Sequence, residues 1–198
     1  MRQTLPLQAL NPAKMKKTIT PILFLATFLV SGVEMMAHAQ AKPVPQSRYK
    51  EYVGESPTAD ADIQVVTDYL NYLAAGNTDK AKMLATDTYR GYGPAATDSA
   101  TREQVMGVWQ QRYKTQMNRK LRLEGQTAFR VKTGRLQGNW VSTWGEYTFT
   151  QSGKTIKAPF QHVAHVTKGK IDLDRTYVDN LSISQALGYK LTPPEPAK

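Results

Sequence analysis

The sequence contains no cysteine. That excludes a disulfide framework, a thiol nucleophile, a cysteine-ligated zinc site and a lipidated N-terminal cysteine. Histidine is scarce, at three in 198 residues. His38 falls in the segment read below as a leader, which leaves His162 and His165. Three positions apart on a strand, these two point to opposite faces and do not form a metal pair. Neither a metal nor another cofactor is therefore expected. No glycine-rich phosphate loop, no basic-aromatic RNA signature and no nucleophile elbow around a serine is present, nor any internal repeat. The longest apolar run falls short of the ~20 residues of a membrane-spanning helix. Acids are in deficit, with 16 against 26 bases, so the net charge is +10.

Part of that charge belongs to the N-terminus. Met15-Lys16-Lys17 opens an apolar stretch over 18–33, and Ala37-His38-Ala39 is a small-x-small cleavage site. Residues 1–39 read as a signal peptide with its true start at Met15; the alternative is an uncleaved anchor. Cleavage would remove four bases (Arg2, Lys14, Lys16, Lys17) and one acid (Glu34), lowering the net charge to +7. The mature chain is expected to be exported, periplasmic or secreted, without nucleic-acid partners and without membrane contact after cleavage. Its basic balance is then surface chemistry. Pro43, Pro45, Gly54 and Pro57 mark residues 40–59 as a flexible linker. Residues 60–191 form the domain, and 192–198 a proline-rich tail.

The first half of that domain has a helical period. Ile63, Val66, Leu70 and Leu73 recur on one stripe, Asp60 or Asp62 is placed to cap its start, and Gly76 ends it. Thr78 caps a second, short helix. Thr101 with Gln104 forms a capping box for a third, whose stripe carries Val105, Val108 and Trp109. The second half alternates with period two. Leu121, Leu123, Thr127, Phe129 and Val131 share one face of a strand, and three further strands run over 138–150, 155–167 and 170–181. The expected fold is α+β, a curved antiparallel sheet of four to six strands packed on three N-terminal helices. A short strand near Tyr89–Tyr92 adds an edge.

Two-residue loops at Ser152-Gly153 and Lys168-Gly169 fix the pairings of the last three strands. At the second loop, facing residue numbers sum to 337. His165 faces Asp172, His162 faces Arg175 and Phe160 faces Tyr177. The core-side face then carries Phe160, His162, Ala164, Val166, Ile171, Leu173, Arg175, Tyr177 and Asp179. Its far end gathers His162, Arg175, Tyr177 and Asp179. Polar groups on the core side of a sheet are paired, hydrated or functional. The opposite face, with Asp172, Asp174 and Thr176, reads as solvated. The first loop sets Thr143 opposite His162 and turns Val141, Thr143, Gly145, Tyr147 and Phe149 inward; a single bulge would bring in Trp144 and Glu146 instead.

"LATDTYRGYGP", "TREQVMGVWQQRY", "GNWVSTWGEYTF" and "HVAHVTKGKIDLDRTYVDNLSISQALGY" stand in the order of landmarks of the nuclear transport factor 2-like superfamily. Over about Asp62 to Tyr189 the chain resembles its SnoaL-like polyketide cyclase group. The resemblance implies a cone, a curved sheet wrapped around helices with a deep apolar pocket, and relatives that include ring cyclases, isomerases, dehydratases, epoxide hydrolases, ligand carriers and dimers. It implies catalytic roles for His162 and Asp179, and it favours Trp144 inside. The chain departs from the pattern at Leu173, where an acid is common.

Acid–base chemistry on an enolisable carbonyl compound needs one group to move a proton at carbon and another to stabilise an oxyanion. His162 or Asp179 would shuttle the proton. Tyr177, or Tyr69 or Tyr72 from the first helix, would donate to the oxyanion, and Arg175 would hold a ligand carboxylate. Trp109 and Trp144 complete the ligand-binding set. Three functions compete. The first is an exported, homodimeric module binding a small, largely apolar ligand in a cone-shaped pocket. The second is an isomerase, cyclase or dehydratase, and the third a dimeric assembly domain without a ligand.

Overall fold

The structure, a computed structural model, describes residues 48–192. Its elements are α1 (Tyr49–Tyr52), β1 (Val53–Gly54), α2 (Ala59–Ala75), α3 (Thr78–Met83), β2 (Ala85–Tyr92), β3 (Ala100–Thr101), α4 (Arg102–Thr115), β4 (Met117–Val131), β5 (Gly138–Gln151), β6 (Lys154–Thr167), β7 (Lys170–Val178) and α5 (Asn180–Leu187). The leader and its cleavage site lie outside the described residues. Part of the expected linker does not behave as one: β1 pairs with β4, Val53 opposite Val131 and Gly54 opposite Arg130.

The apolar stripe of α2 buries Val66, Tyr69, Leu70 and Leu73. Gly76 closes the helix in the left-handed conformation at φ +92°, where a side chain would be strained. The backbone N–H of Asn77 reaches back to the Tyr72 carbonyl at 2.8 Å. The start differs from expectation. Thr58 is the cap residue, and Asp62 is buried one turn inside, where its carboxylate accepts from Ser56 Oγ and Thr58 Oγ1 at 3.1 and 2.6 Å. The capping box of α4 is formed, with Thr101 Oγ1 accepting from Gln104 N–H and Gln104 Oε1 accepting from Thr101 N–H.

The seven strands make one curved sheet in the order β1-β4-β5-β6-β7-β2-β3. All neighbours are antiparallel except β2 and β7. The strand near Tyr89–Tyr92 is thus not an edge. It is part of the eight-residue β2, covered on one side by β7 and on the other by β3. The third helix follows this pair of strands rather than standing with the first two. The core lies between α2 and the inner sheet face, where Val141, Ala164, Val166 and Ile171 meet Val66, Leu70 and Leu73.

Both hairpin loops have the expected two residues. Ser152-Gly153 and Lys168-Gly169 all have positive φ, between 50° and 74°, the signature of a type I′ turn. Thr143 stands opposite His162 as anticipated. Two bulges then change the faces. On β4 the register shifts between Leu123 and Gly125, so Gln126 and Ala128 face inward and Phe129 turns outward with Trp140. On β7 it shifts after Ile171. Val166 faces Ile171, but His165 faces Leu173, and Asp172 is the extra residue. An inserted residue on a period-two strand inverts every side chain beyond it and bends the strand.

Candidate functional site

The bulge at Asp172 decides what the inner face presents. Beyond it, Asp174, Thr176 and Val178 turn inward, while Leu173, Arg175 and Tyr177 turn outward. Asp174, assigned to the solvated face by the plain pairing, is thereby brought inside, and Leu173 is turned out.

Asp174 and His162, both buried, line a cavity of about 600 Å³, a size typical of small-molecule sites. Its walls come from α2, β2, the 93–100 segment with Asp98, α4, α5 and the inner faces of β4, β5, β6 and β7. Leu70, Leu73, Val105, Trp109, Phe149 and Phe160 make them largely apolar. Two glycines make room for the rings. A Cβ on Gly91 would stand 2.7 Å from the Tyr89 hydroxyl, and one on Gly145 would stand 2.8 Å from Phe160 Cζ, so both positions demand hydrogen.

The polar end is a directed chain. The Tyr89 hydroxyl donates to Asp174 Oδ2 at 2.6 Å. Its single proton is thereby used, so the hydroxyl of Tyr69, 3.1 Å away, donates to Tyr89. His162 Nδ1 is 2.9 Å from Thr176 Oγ1. Its Nε2 is buried, has no hydrogen-bond partner among the described residues, and lies 3.9 Å from Asp174 Oδ2. That gap is too long for a hydrogen bond and short enough for one ligand atom to meet both groups.

Burial controls the charge here. It pushes the Asp174 carboxyl up to about 7, against the lowering pull of the tyrosine hydroxyls. It pushes His162 down to about 4. Tyr69 and Tyr89 are raised above the usual phenol value by burial and then by the charge of Asp174. Near neutral pH the imidazole is therefore uncharged, and the carboxyl is divided between its two forms. A neutral donor beside a carboxyl poised near 7 can bind a polar group or move a proton.

Among the residues singled out in the sequence, Tyr69, Trp109 and His162 line this cavity. Asp179 does not. It is exposed and caps α5, its carboxylate accepting from Ser182 N–H at 3.0 Å. Trp144, 43% exposed, stands on the outer sheet face. Tyr177, 42% exposed, is also outside, as is Arg175, whose guanidinium lies 5.1 Å from the Tyr92 ring centroid. Arg175 and Tyr177 were placed inward by the 337 pairing, which the bulge cancels. Sequence reasoning missed Asp174, Tyr89 and Arg112. The signal for Tyr89 was the "TYRGY" alternation, which puts Tyr89 and Gly91 on one face.

The described structure is similar to several solved ones. A protein from Jannaschia sp. CCS1 described as SnoaL-like aligns with a TM-score of 0.56 at 15% identity over 71% of this chain and 99% of that one. A protein with a ketosteroid isomerase-like fold from Catenulispora acidiphila aligns with a TM-score of 0.53 at 16% identity over 66% and 98%. An LEH-like epoxide hydrolase of M. tuberculosis aligns with a TM-score of 0.52 at 15% identity over 66% and 92%. No family model and no curated protein matches the sequence. At identities this low the likeness speaks to architecture, and on that ground the chain has the nuclear transport factor 2-like fold.

Proposed function

We propose that this chain binds a small, largely apolar molecule in the cavity, with one oxygen of that molecule taken up by His162 and Asp174. The observation that carries the reading is the buried, unpartnered His162 Nε2 beside a largely apolar cavity. A buried polar atom left without a partner costs about 1–3 kcal/mol, which a ligand hydroxyl or carbonyl would recover. Native mass spectrometry of the protein, gently purified from its own cells, tests this. An adduct of a few hundred daltons, lost when Ala158→Trp fills the cavity, is expected. The bare mass together with no binding of apolar probes would reject the reading.

Turnover of an enolisable carbonyl compound is the second reading, favoured by the position of Asp174 near 7. The carboxylate would take a proton from the carbon beside the carbonyl. The electron pair would move to the carbonyl oxygen, met by His162 Nε2–H in the tautomer whose Nδ1 accepts from Thr176 Oγ1. With Asp174→Asn, turnover falls at least 100-fold while binding stays within a few-fold; equal loss of both would leave a carrier.

Two further expectations join the proposal. The outer sheet face carries Phe129, Trp140, Trp144, Leu173 and Tyr177, an apolar area suited to a second copy of the chain. Light scattering of Trp144→Glu against the unaltered protein would show a dimer converted to a monomer. Export rests on the leader over residues 1–39, and N-terminal sequencing of the exported protein should begin at Gln40.

A further inference from the structure

The wall of the proposed ligand cavity carries one arginine, Arg112 of α4, and among the described residues no other lysine or arginine lines it. The guanidinium lies over the Trp109 ring, 4.8 Å from its centroid. Trp109 is in turn braced edge-on by Tyr147 at 5.6 Å. A guanidinium stacked in this way is held by its face, and its in-plane N–H groups stay free for a planar acceptor.

Five other arginines of the domain have polar partners of their own. Arg48, Arg102 and Arg122 hold carboxylates. Arg119 donates to the carbonyls of Ala74 and Gln116, and Arg130 donates to Asn139. Arg112 has no carboxylate within ion-pair distance among the described residues. It keeps access to solvent and so marks the open end of the cavity, whereas His162 is buried. The protein packed around it lowers its pKa by desolvation, so an arriving anion would compensate a charge the fold leaves unpaired.

The two ends can be spaced. Tyr147, which meets Trp109 under the Arg112 guanidinium, lies four positions along β5 from Thr143, the partner of His162. At ~3.3 Å per residue that is about 13 Å.

Building on the cavity reading above, we propose that the ligand is an amphipathic anion: an apolar skeleton whose carboxylate Arg112 grips at the mouth, with a hydroxyl or carbonyl oxygen at the far end for His162 and Asp174. The role first given to Arg175 thus passes to Arg112.

Calorimetry with a matched pair of probes tests it: biphenyl bearing a para hydroxyl on one ring and a para carboxylate on the other, and the neutral amide of the same acid. The unaltered protein should bind the acid about tenfold more tightly than the amide. Arg112→Gln should abolish that preference by weakening the acid alone, Arg112→Lys should restore part of it, and Arg175→Gln should change neither. Equal affinity for acid and amide, unchanged in Arg112→Gln, would overturn the anion proposal and leave the cavity reading standing. Binding of neither probe to the unaltered protein would overturn both.

Discussion

The hairpin of β6 and β7 carries two histidine–aspartate pairs, one on each face of the sheet. Outside, His165 Nδ1 and Asp172 Oδ1 stand at 2.6 Å, partly open to solvent. Inside, His162 Nε2 and Asp174 Oδ2 stand at 3.9 Å, both almost fully buried. The shorter contact is the ordinary one. It is a finished hydrogen bond in a wet setting, worth well under ~1 kcal/mol, and its acid is the extra residue of the bulge. The longer contact is unfinished, and desolvation has moved both groups toward their neutral forms. Environment, not proximity, separates a surface pair from a working site.

The comparison breaks most violently if the bulge is removed. Deleting Asp172 restores a plain hairpin and turns Arg175 and Tyr177 into the core while expelling Asp174. We expect loss of cooperative unfolding at room temperature, read by circular dichroism. A melt within a few degrees of the unaltered protein would show that the bulge does not set the faces.

The inner pair also leaves a signature in pH. Asp174 titrates at about 7 folded against 3.8 ordinarily, so its contribution to stability is present below 3.8 and is lost as pH rises to 7. His162 titrates at about 4 against 6.5, so its contribution is present above 6.5 and is lost as pH falls to 4. Between pH 4 and 6.5 the two cancel, and the unaltered protein should be nearly flat. Asp174→Asn should gain about 3 kcal/mol of stability with rising pH across that window, and His162→Gln should lose about 3 kcal/mol. Denaturant melts at several pH values measure both slopes. Parallel curves for the three proteins would mean the pair is not desolvated.

Smaller effects sharpen the contrast. Gly91→Ala drives a methyl against the Tyr89 hydroxyl and should cost about 1–3 kcal/mol. Asp179→Ala removes a helix cap and should cost about 1 kcal/mol while leaving probe affinity untouched; a tenfold loss of affinity would return Asp179 to the site. Asp172→Asn, which keeps the bulge and a hydrogen bond to His165, should cost less than ~1 kcal/mol.

The helices were legible because Ile63, Val66, Leu70 and Leu73 repeat at helical spacing, and the α4 box because Thr101 and Gln104 are three apart. The two turns were legible because Gly153 and Gly169 supply positive φ. The bulges were not. Loop length fixes only the first pairs beyond the turn, and "IDLDRTYV" sets Ile171, Leu173 and Tyr177 on one face against Asp172, Asp174 and Thr176 on the other, so its alternation points to the unbulged register. An extra residue at Asp172 or Glu124 is a tertiary choice, made where the sheet bends around α2. Asp174 was therefore assigned to solvent, and Arg175 and Tyr177 to the pocket. Tyr89 was hidden for a different reason. Its partners, Tyr69 and Asp174, are 20 and 85 residues away, beyond any local pattern.

The central claim is that burial holds the carboxyl of Asp174 poised near neutrality beside an uncharged His162. Carbon NMR of the aspartate side-chain carboxyls through a pH titration, with the Asp174 signal assigned by its loss in Asp174→Asn, measures this directly. The account predicts a midpoint at about 7 for that signal. A midpoint near the ordinary 3.8 would contradict it, and would make the inner pair as commonplace as the outer one.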